Sequence, residues 1–103
     1  MRTIKARHEA TVPFGIQMAA LELVSAFNEM GRIEQHTQSD NGGVVAGEIA
    51  SGAFNMHKAS VAVSLQAIDE NNTKLLFRAS AKEGLISQKT AAKAIRRILE
   101  SID

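Results

Sequence analysis

The chain has 103 residues, of which 45% are hydrophobic and 22% charged, and its formal net charge at pH 7 is +1. This length suits one domain, residues 1–103, and the near-neutral charge gives no general attraction to nucleic acids or membranes. There is no cysteine, which excludes disulfides, thiolate metal sites and cysteine nucleophiles. The first residues lack a signal peptide's apolar stretch and no segment is apolar enough to span a bilayer, so we expect a cytoplasmic protein.

The first two predicted elements are a strand and a helix. Apolar and polar residues alternate from position 4 to position 12, which is typical of a strand with one face in the core. Pro13 ends this strand. Apolar residues then recur at helical spacing over residues 14–30. We expect Gly31 to end this helix in a left-handed backbone conformation.

Four further strands are predicted before a second helix. They cover residues 32–38, 44–50, 59–68 and 73–82. The first pair is joined by a tight turn at residues 40–43, and the last pair by a turn at Glu70, Asn71 and Asn72. After Gly84, Ser87 is the expected N-cap of a last helix, whose apolar residues are spaced from Ala91 to Ile102.

The order of elements is therefore β-α-β-β-β-β-α. Short connections place sequential strands side by side, and the first strand returns most simply beside the fifth. The predicted fold class is α+β. It consists of a curved five-stranded antiparallel sheet in the order 2-3-4-5-1, with both helices on one face and the other face open to water.

Several segments resemble those of small uncharacterised bacterial proteins. They are GEIASGAF at residues 47–54, VAVSL at 61–65, LFRAS at 76–80 and AIRRIL at 94–99. The succession of elements resembles one half of the TATA-binding-protein fold, and it is similar to a shortened helix-grip fold of small ligand-binding proteins. The resemblance covers roughly residues 13–102 and implies a fold, but it brings no catalytic residues with it.

The sequence contains no recognisable catalytic or metal-binding set. Its three histidines, His8, His36 and His57, lie in separate elements, with His8 expected to face inward. The Gly-x-Ser-x-Gly motif is absent, and the acidic residues are too scattered to provide a close pair for acid and base chemistry. We therefore predict a protein that is not an enzyme and that needs no metal or cofactor.

The open face of the sheet is expected to carry charges of both signs. Its polar residues are Lys5, Arg7, Glu9, Arg32, Glu34, Glu48, Gln66, Lys74, Arg78 and Lys82. Such interleaving is typical of a solvated face stabilised by cross-strand pairs. A surface that bends DNA or stacks on bases would need apolar wedges or aromatic side chains there. The four phenylalanines fall elsewhere, so we do not expect nucleic-acid binding.

The last helix is predicted to have a basic side opposite its apolar one. This side carries Lys89, Lys93, Arg96 and Arg97. It could contact an anionic partner or a membrane surface. We favour the simpler interpretation, in which these cations interact with the helix dipole and keep the helix soluble.

Three apolar side chains of the first helix are predicted to point away from the core. Phe14, Met18 and Leu21 fall nearly opposite Ile16 and Leu23 on a helical projection. An exposed patch of this kind usually marks a partner surface, most simply that of a two-fold homodimer or an adaptor. The alternatives are that Phe14 folds back at the helix start or that the second helix covers one of the three.

The connection around residues 52–57 is unusually apolar. Phe54 and Met56 could close over the gap between sheet and helices, forming a small apolar cavity with Phe77 and Ile95. They could equally cap the core at that end, which we favour. The sequence thus predicts a non-enzymatic interaction module first, and a carrier or sensor of a small apolar ligand second.

Overall fold

The computed structural model describes residues 2–51, 57–84 and 89–102. The elements in these residues are β1 (Arg2–Val12), α1 (Ile16–Met30), β2 (Gly31–Gln38), β3 (Gly42–Ser51), β4 (His57–Asp69), β5 (Asn72–Glu83) and α2 (Thr90–Ile102). The strands form an antiparallel sheet in the order β1-β5-β4-β3-β2. This is the predicted order read from the opposite edge, so the predicted α+β fold class is confirmed.

The core lies between the sheet and the two helices. Every second residue of β3, β4 and β5 points toward the helices, as the alternation of a strand requires. The core side chains with no exposed surface are Leu23, Phe27, Val45, Ile49, Val63, Leu75, Phe77 and Ile98, together with Ala91 and Ala94. Burying each of the larger of these side chains contributes about 1.5 to 3 kcal/mol, so this face supplies most of the driving force for folding.

Helix α1 packs its predicted side on the sheet, but it begins later than predicted. Ile16, Leu23 and Phe27 are buried, and the first helical residue is Ile16. Phe14 lies before the helix, where its backbone carbonyl accepts a 2.9 Å hydrogen bond from the hydroxyl of Thr73. The Phe14 side chain packs partly against the core. The outer face of α1 therefore does not include Phe14, contrary to the prediction.

Gly31 ends α1 in a way that the sequence did not indicate. Its backbone is extended, with φ 178° and ψ −129°, and not left-handed. A Cβ atom at this position would lie 1.8 Å from the carbonyl oxygen of Glu48 on the neighbouring strand. Glycine is needed because the chain leaves the helix directly into β2, where β3 passes too close for any side chain.

The start of α2 is held by residues far away in the sequence. The backbone N–H of Thr90 donates a 2.7 Å hydrogen bond to the carboxylate of Glu83, at the end of β5. The carbonyl of Thr90 accepts a 3.1 Å bond from the hydroxyl of Ser51, at the end of β3. The predicted N-cap, Ser87, lies outside the described residues. Two strand ends therefore anchor the first turn of α2.

The hairpin between β4 and β5 turns at the predicted residues. The Asp69 carboxylate accepts a 2.8 Å bond from the backbone N–H of Asn71 and a 3.0 Å bond from the side-chain amide of Asn72. These bonds, with that of the Asn71 N–H foremost, lower the pKa of Asp69 below its usual value. The charged form of Asp69 therefore fixes the turn that aligns β4 with β5.

Candidate functional site

Two neighbouring rows of side chains cross the face of the sheet that the helices leave open. The register of the strands aligns the first row as Arg7, Arg78, Ala62, Ala46 and Gln35. It aligns the second row as Lys5, Ser80, Ser60, Glu48 and Arg32. In both rows the large polar residues stand at the two ends, on the edge strands and their neighbours.

The middle of these rows is made of small side chains. These side chains point outward because the apolar residues beside them in each strand point into the core. They belong to Ala46, Ser60, Ala62 and Ser80. Together with the larger side chains on either side, they form an open trough with a volume of about 600 Å³. We call this depression the open-face trough. Lys5, Arg7 and Arg78 line one side of it, and Glu34 lines the other.

The side of the trough along β1 and β5 is positively charged. Arg7 and Arg78 are direct cross-strand partners, and Lys5 stands two residues before Arg7 on the same face. We call these three residues the cationic wall. All three are exposed, and their side chains make no ion pair or hydrogen bond with any residue that the structure describes. Like charges placed directly opposite each other in a sheet repel, so this wall lacks internal compensation.

Acidic residues near the trough are already paired. Arg32 contacts the Glu48 carboxylate at 2.9 Å and the Glu34 carboxylate at 3.3 Å. Glu9, two residues from Arg7, is 3.3 Å from the Lys74 ammonium group. The predicted interleaving of charges therefore produces cross-strand pairs at these positions. It does not produce them at the cationic wall.

A second cleft continues the positive surface. Its volume is about 360 Å³, and it shares Ser60 and Ser80 with the open-face trough. Lys58 and Lys82 line it, both exposed, together with Glu48, whose carboxylate is paired with Arg32. This end of the open face is therefore basic, although the net charge of the whole chain is only +1.

Two of the three predicted interface residues are exposed. The exposed fractions of Met18 and Leu21 are 50% and 66%, whereas Phe14 packs partly against the core. Ile68, which the sequence reasoning did not select, is 55% exposed and borders the same cleft as Met18. The exposed apolar surface on this side of the molecule is thus formed by Met18, Leu21 and Ile68.

The predicted cavity between sheet and helices is filled where the structure describes it. Phe77 is fully buried and Ile95 is 4% exposed, and both belong to the packed core. Phe54 and Met56 lie outside the described residues. The open-face trough lies on the opposite side of the sheet from Phe77. The two predicted cavity residues that the structure describes are therefore part of the packed core.

The basic residues predicted on the last helix are divided in the structure. Lys89 precedes α2 and is exposed, and Arg96 is exposed on the helix. Lys93 and Arg97 are half-buried, and the Arg97 guanidinium donates to the backbone carbonyl of Ala50. Arg97 thus ties α2 to β3. For the other three residues, the favoured interpretation as solubilising cations and the weaker alternative of an anionic partner both stay predictions.

The titratable residues do not converge on a metal site within the described ranges, where no three His, Asp or Glu side chains lie close enough together. His8 faces the helix-covered side of the sheet, as predicted, but it is exposed there. It lies at the sheet edge on the helix-covered side, with its ring 6.4 Å from that of Phe77. No described helix is long and apolar enough to cross a membrane.

Comparison with known proteins gives little further information. No protein-family description and no curated protein matches the chain. Among solved structures, the chain is similar to an aromatase/cyclase from a Streptomyces species. The two share 13% identity over 98% of this chain and 84% of the other, with a TM-score of 0.40. A likeness at this level does not transfer a function.

The same comparison corrects one prediction. The sequence reasoning expected a protein that is not an enzyme, and the matched structure is that of an aromatase/cyclase, which is an enzyme. The expectation of a non-enzymatic protein is therefore withdrawn. The activity of the matched protein is not assigned to this chain.

Proposed function

We propose that this protein binds a small organic molecule in the open-face trough and acts as its carrier or sensor. The observation that carries the proposal is the trough itself, a depression of about 600 Å³ floored by Ala46 and Ala62. Sites for small molecules are typically clefts of about 300 to 1,000 Å³ with a largely apolar lining and a few placed polar groups. The trough has the size of such a site, an apolar floor and polar groups around it.

The lining favours a ligand with an apolar body. Ala46 and Ala62 are half-buried at the bottom of the trough, and Ser60 and Ser80 add hydroxyl groups beside them. A ligand that covers this floor removes apolar surface from water, which contributes about 25 cal/mol for each Å² buried. We retain the small apolar ligand predicted from the sequence and assign its site to the other side of the sheet.

A trough-filling substitution tests this function. The probe is the neutral dye N-phenyl-1-naphthylamine, whose fluorescence rises in an apolar site. We expect saturable binding to the natural protein and a loss of affinity of about tenfold or more in Ala62→Leu, because the longer side chain occupies the floor. The matched control is Ser64→Leu, two residues away on the same face of β4 and not part of the trough lining.

The outcomes are distinct. Binding that survives Ala62→Leu unchanged would show that the dye lies elsewhere and would remove the proposal. A loss of binding in both variants would assign it to the wider face instead of the trough. Unfolding curves of both variants verify that each remains folded.

A second candidate function is self-association through the outer face of α1. The observation in its favour is the exposure of Met18 and Leu21, at 50% and 66%. Exposed apolar patches often mark interfaces, and a two-fold dimer would cover this one with a copy of itself. The test is the solution mass by light scattering. We expect a dimer for the natural protein and a monomer for Met18→Glu with Leu21→Lys, and a monomeric natural protein would remove this candidate.

A further inference from the structure

We infer that the ligand of the open-face trough is an organic anion whose charged group binds at the cationic wall. The inference deepens the proposed function and rests on it. The class of ligand is an apolar body about the size of two or three rings that carries a carboxylate, sulfonate or phosphate group at one end.

The position of the two arginines suits an anionic group. Arg7 and Arg78 leave the sheet from directly opposite positions of β1 and β5, where Cβ atoms stand about 4.5 to 5.5 Å apart. Guanidinium groups carry several N–H donors in a fixed planar fork that matches the oxygens of carboxylate and phosphate groups. Two such forks carried on paired positions of neighbouring strands can reach one anionic group, with Lys5 adding a third positive charge.

No neighbouring residue already fills this role. The side chains of the cationic wall have no acidic or hydrogen-bonding partner among the described residues, and the nearest acid on the same strand, Glu9, is paired with Lys74. In the protein alone, Arg7 and Arg78 repel each other. An anion placed between them would convert this repulsion into two attractive contacts.

The far side of the trough limits the length of the charged part. Glu34 lines that side and Glu48 lies beside it, both held by Arg32. A polyanion laid across the face would therefore meet carboxylates after it left the cationic wall. A molecule with one charged end and an apolar remainder fits the arrangement better, because its apolar part lies over Ala46 and Ala62.

A pair of dyes separates the two parts of the claim. The sulfonate dye 8-anilinonaphthalene-1-sulfonate has the same ring system as the neutral dye used above, with one anionic group added. We expect the sulfonate dye to bind about tenfold more tightly than the neutral dye at low ionic strength. In the double variant Arg7→Gln with Arg78→Gln, this preference falls to about twofold or less, while the affinity for the neutral dye stays within about twofold.

Two controls address charge and source. The variant Lys89→Gln with Lys93→Gln removes the same number of charges on the other side of the sheet, and we expect it to keep the preference. Naphthalene-2-carboxylate should displace the sulfonate dye, whereas inorganic phosphate at equal ionic strength should not, because phosphate has no apolar body to cover the trough floor.

The results that overturn the inference differ from those that overturn the proposed function. Equal affinities for the two dyes, or an equal loss of both in the arginine variant, would leave a ligand site without anion recognition. A loss of preference in the Lys89 and Lys93 variant alone would place the anion on α2 instead. A further result would be that a short single-stranded oligonucleotide displaces the sulfonate dye from the natural protein and fails to bind the variant Arg7→Gln with Arg78→Gln. That result would assign the cationic wall to nucleic acid. Failure of both dyes to bind, with the protein folded, would remove the proposed function itself.

Discussion

The two faces of the sheet follow the same alternation of residues but serve different purposes. On the covered face, Leu75 and Phe77 have no exposed surface and pack under the helices. On the open face of the same strand, Arg78 is exposed and Ser80 is half-buried beside the trough. On the covered face, large apolar side chains fill the core. On the open face, small side chains lie between large polar ones on neighbouring strands, and this difference in size forms the trough.

The largest expected effect compares two leucines that are adjacent in β5. Leu75 is fully buried on the covered face, and Leu76 is half-buried on the open one. We expect Leu75→Ala to lower the free energy of unfolding by about 2 to 5 kcal/mol, because it leaves a cavity in the core. Leu76→Ala should cost about 1 kcal/mol or less. Denaturant unfolding measures both, and equal effects would contradict the division of the sheet into a covered and an open face.

The next effect concerns the entry into β2. We expect Gly31→Ala to lower the free energy of unfolding by roughly 1 to 3 kcal/mol, because its Cβ would collide with the Glu48 backbone and displace β2 from β3. Gly84→Ala serves as the matched control, since a Cβ at that position meets no heavy atom within 4 Å. Thermal unfolding of both variants gives the comparison. A harmless Gly31→Ala would contradict the close approach of the two strands.

A smaller effect of opposite sign is expected on the open face. Arg7→Glu places a carboxylate opposite Arg78, and an opposite-charge pair at such a position stabilises a sheet by about 0.2 to 1 kcal/mol. The same change should abolish the preference for the sulfonate dye. A gain in stability together with a loss of anion binding would show that the cationic wall is not there to support the fold. A variant less stable than the natural protein would show the reverse.

The smallest effect tests the turn that fixes the register between β4 and β5. The pKa of Asp69 is lowered in the folded protein, so its charged form contributes stability above its usual pKa of 3.8. This contribution is lost as the pH falls through the lowered value. We expect Asp69→Ala to be slightly less stable than the natural protein at neutral pH, and the difference to shrink under acidic conditions. Unfolding curves over a series of pH values measure it, and a difference independent of pH would indicate that the charge is not involved.

Much of the architecture was predictable because it follows from local patterns. The period of two in β4 and β5 and the helical period of Leu23 and Phe27 in α1 are properties of short segments. Short connections then leave few arrangements for the strands, so their order could be predicted as well. The start of α2 could not, because Ser51 and Glu83 reach Thr90 from two different strand ends.

The candidate site was not predicted, although part of its signal was in the sequence. The charged residues of the open face were recognised, and their mixture of signs was interpreted as a solvated surface. The small outward residues Ala46, Ser60 and Ala62 carried the missing signal, since a run of small side chains on consecutive strands leaves a depression between larger ones. Their alignment depends on the register of β3, β4 and β5, which residue types alone do not specify.

The sequence by itself determined the type and order of the strands and helices and most of the residues that turn toward the core, because these properties depend on neighbours within a few positions. Only the tertiary structure decided that Arg7 stands opposite Arg78, that Ala62 lies beside Ala46, and that β3 comes too close to Gly31 for a side chain. These are contacts between strands, and the physical reason is that register converts separate alternating patterns into one surface with a defined shape and charge.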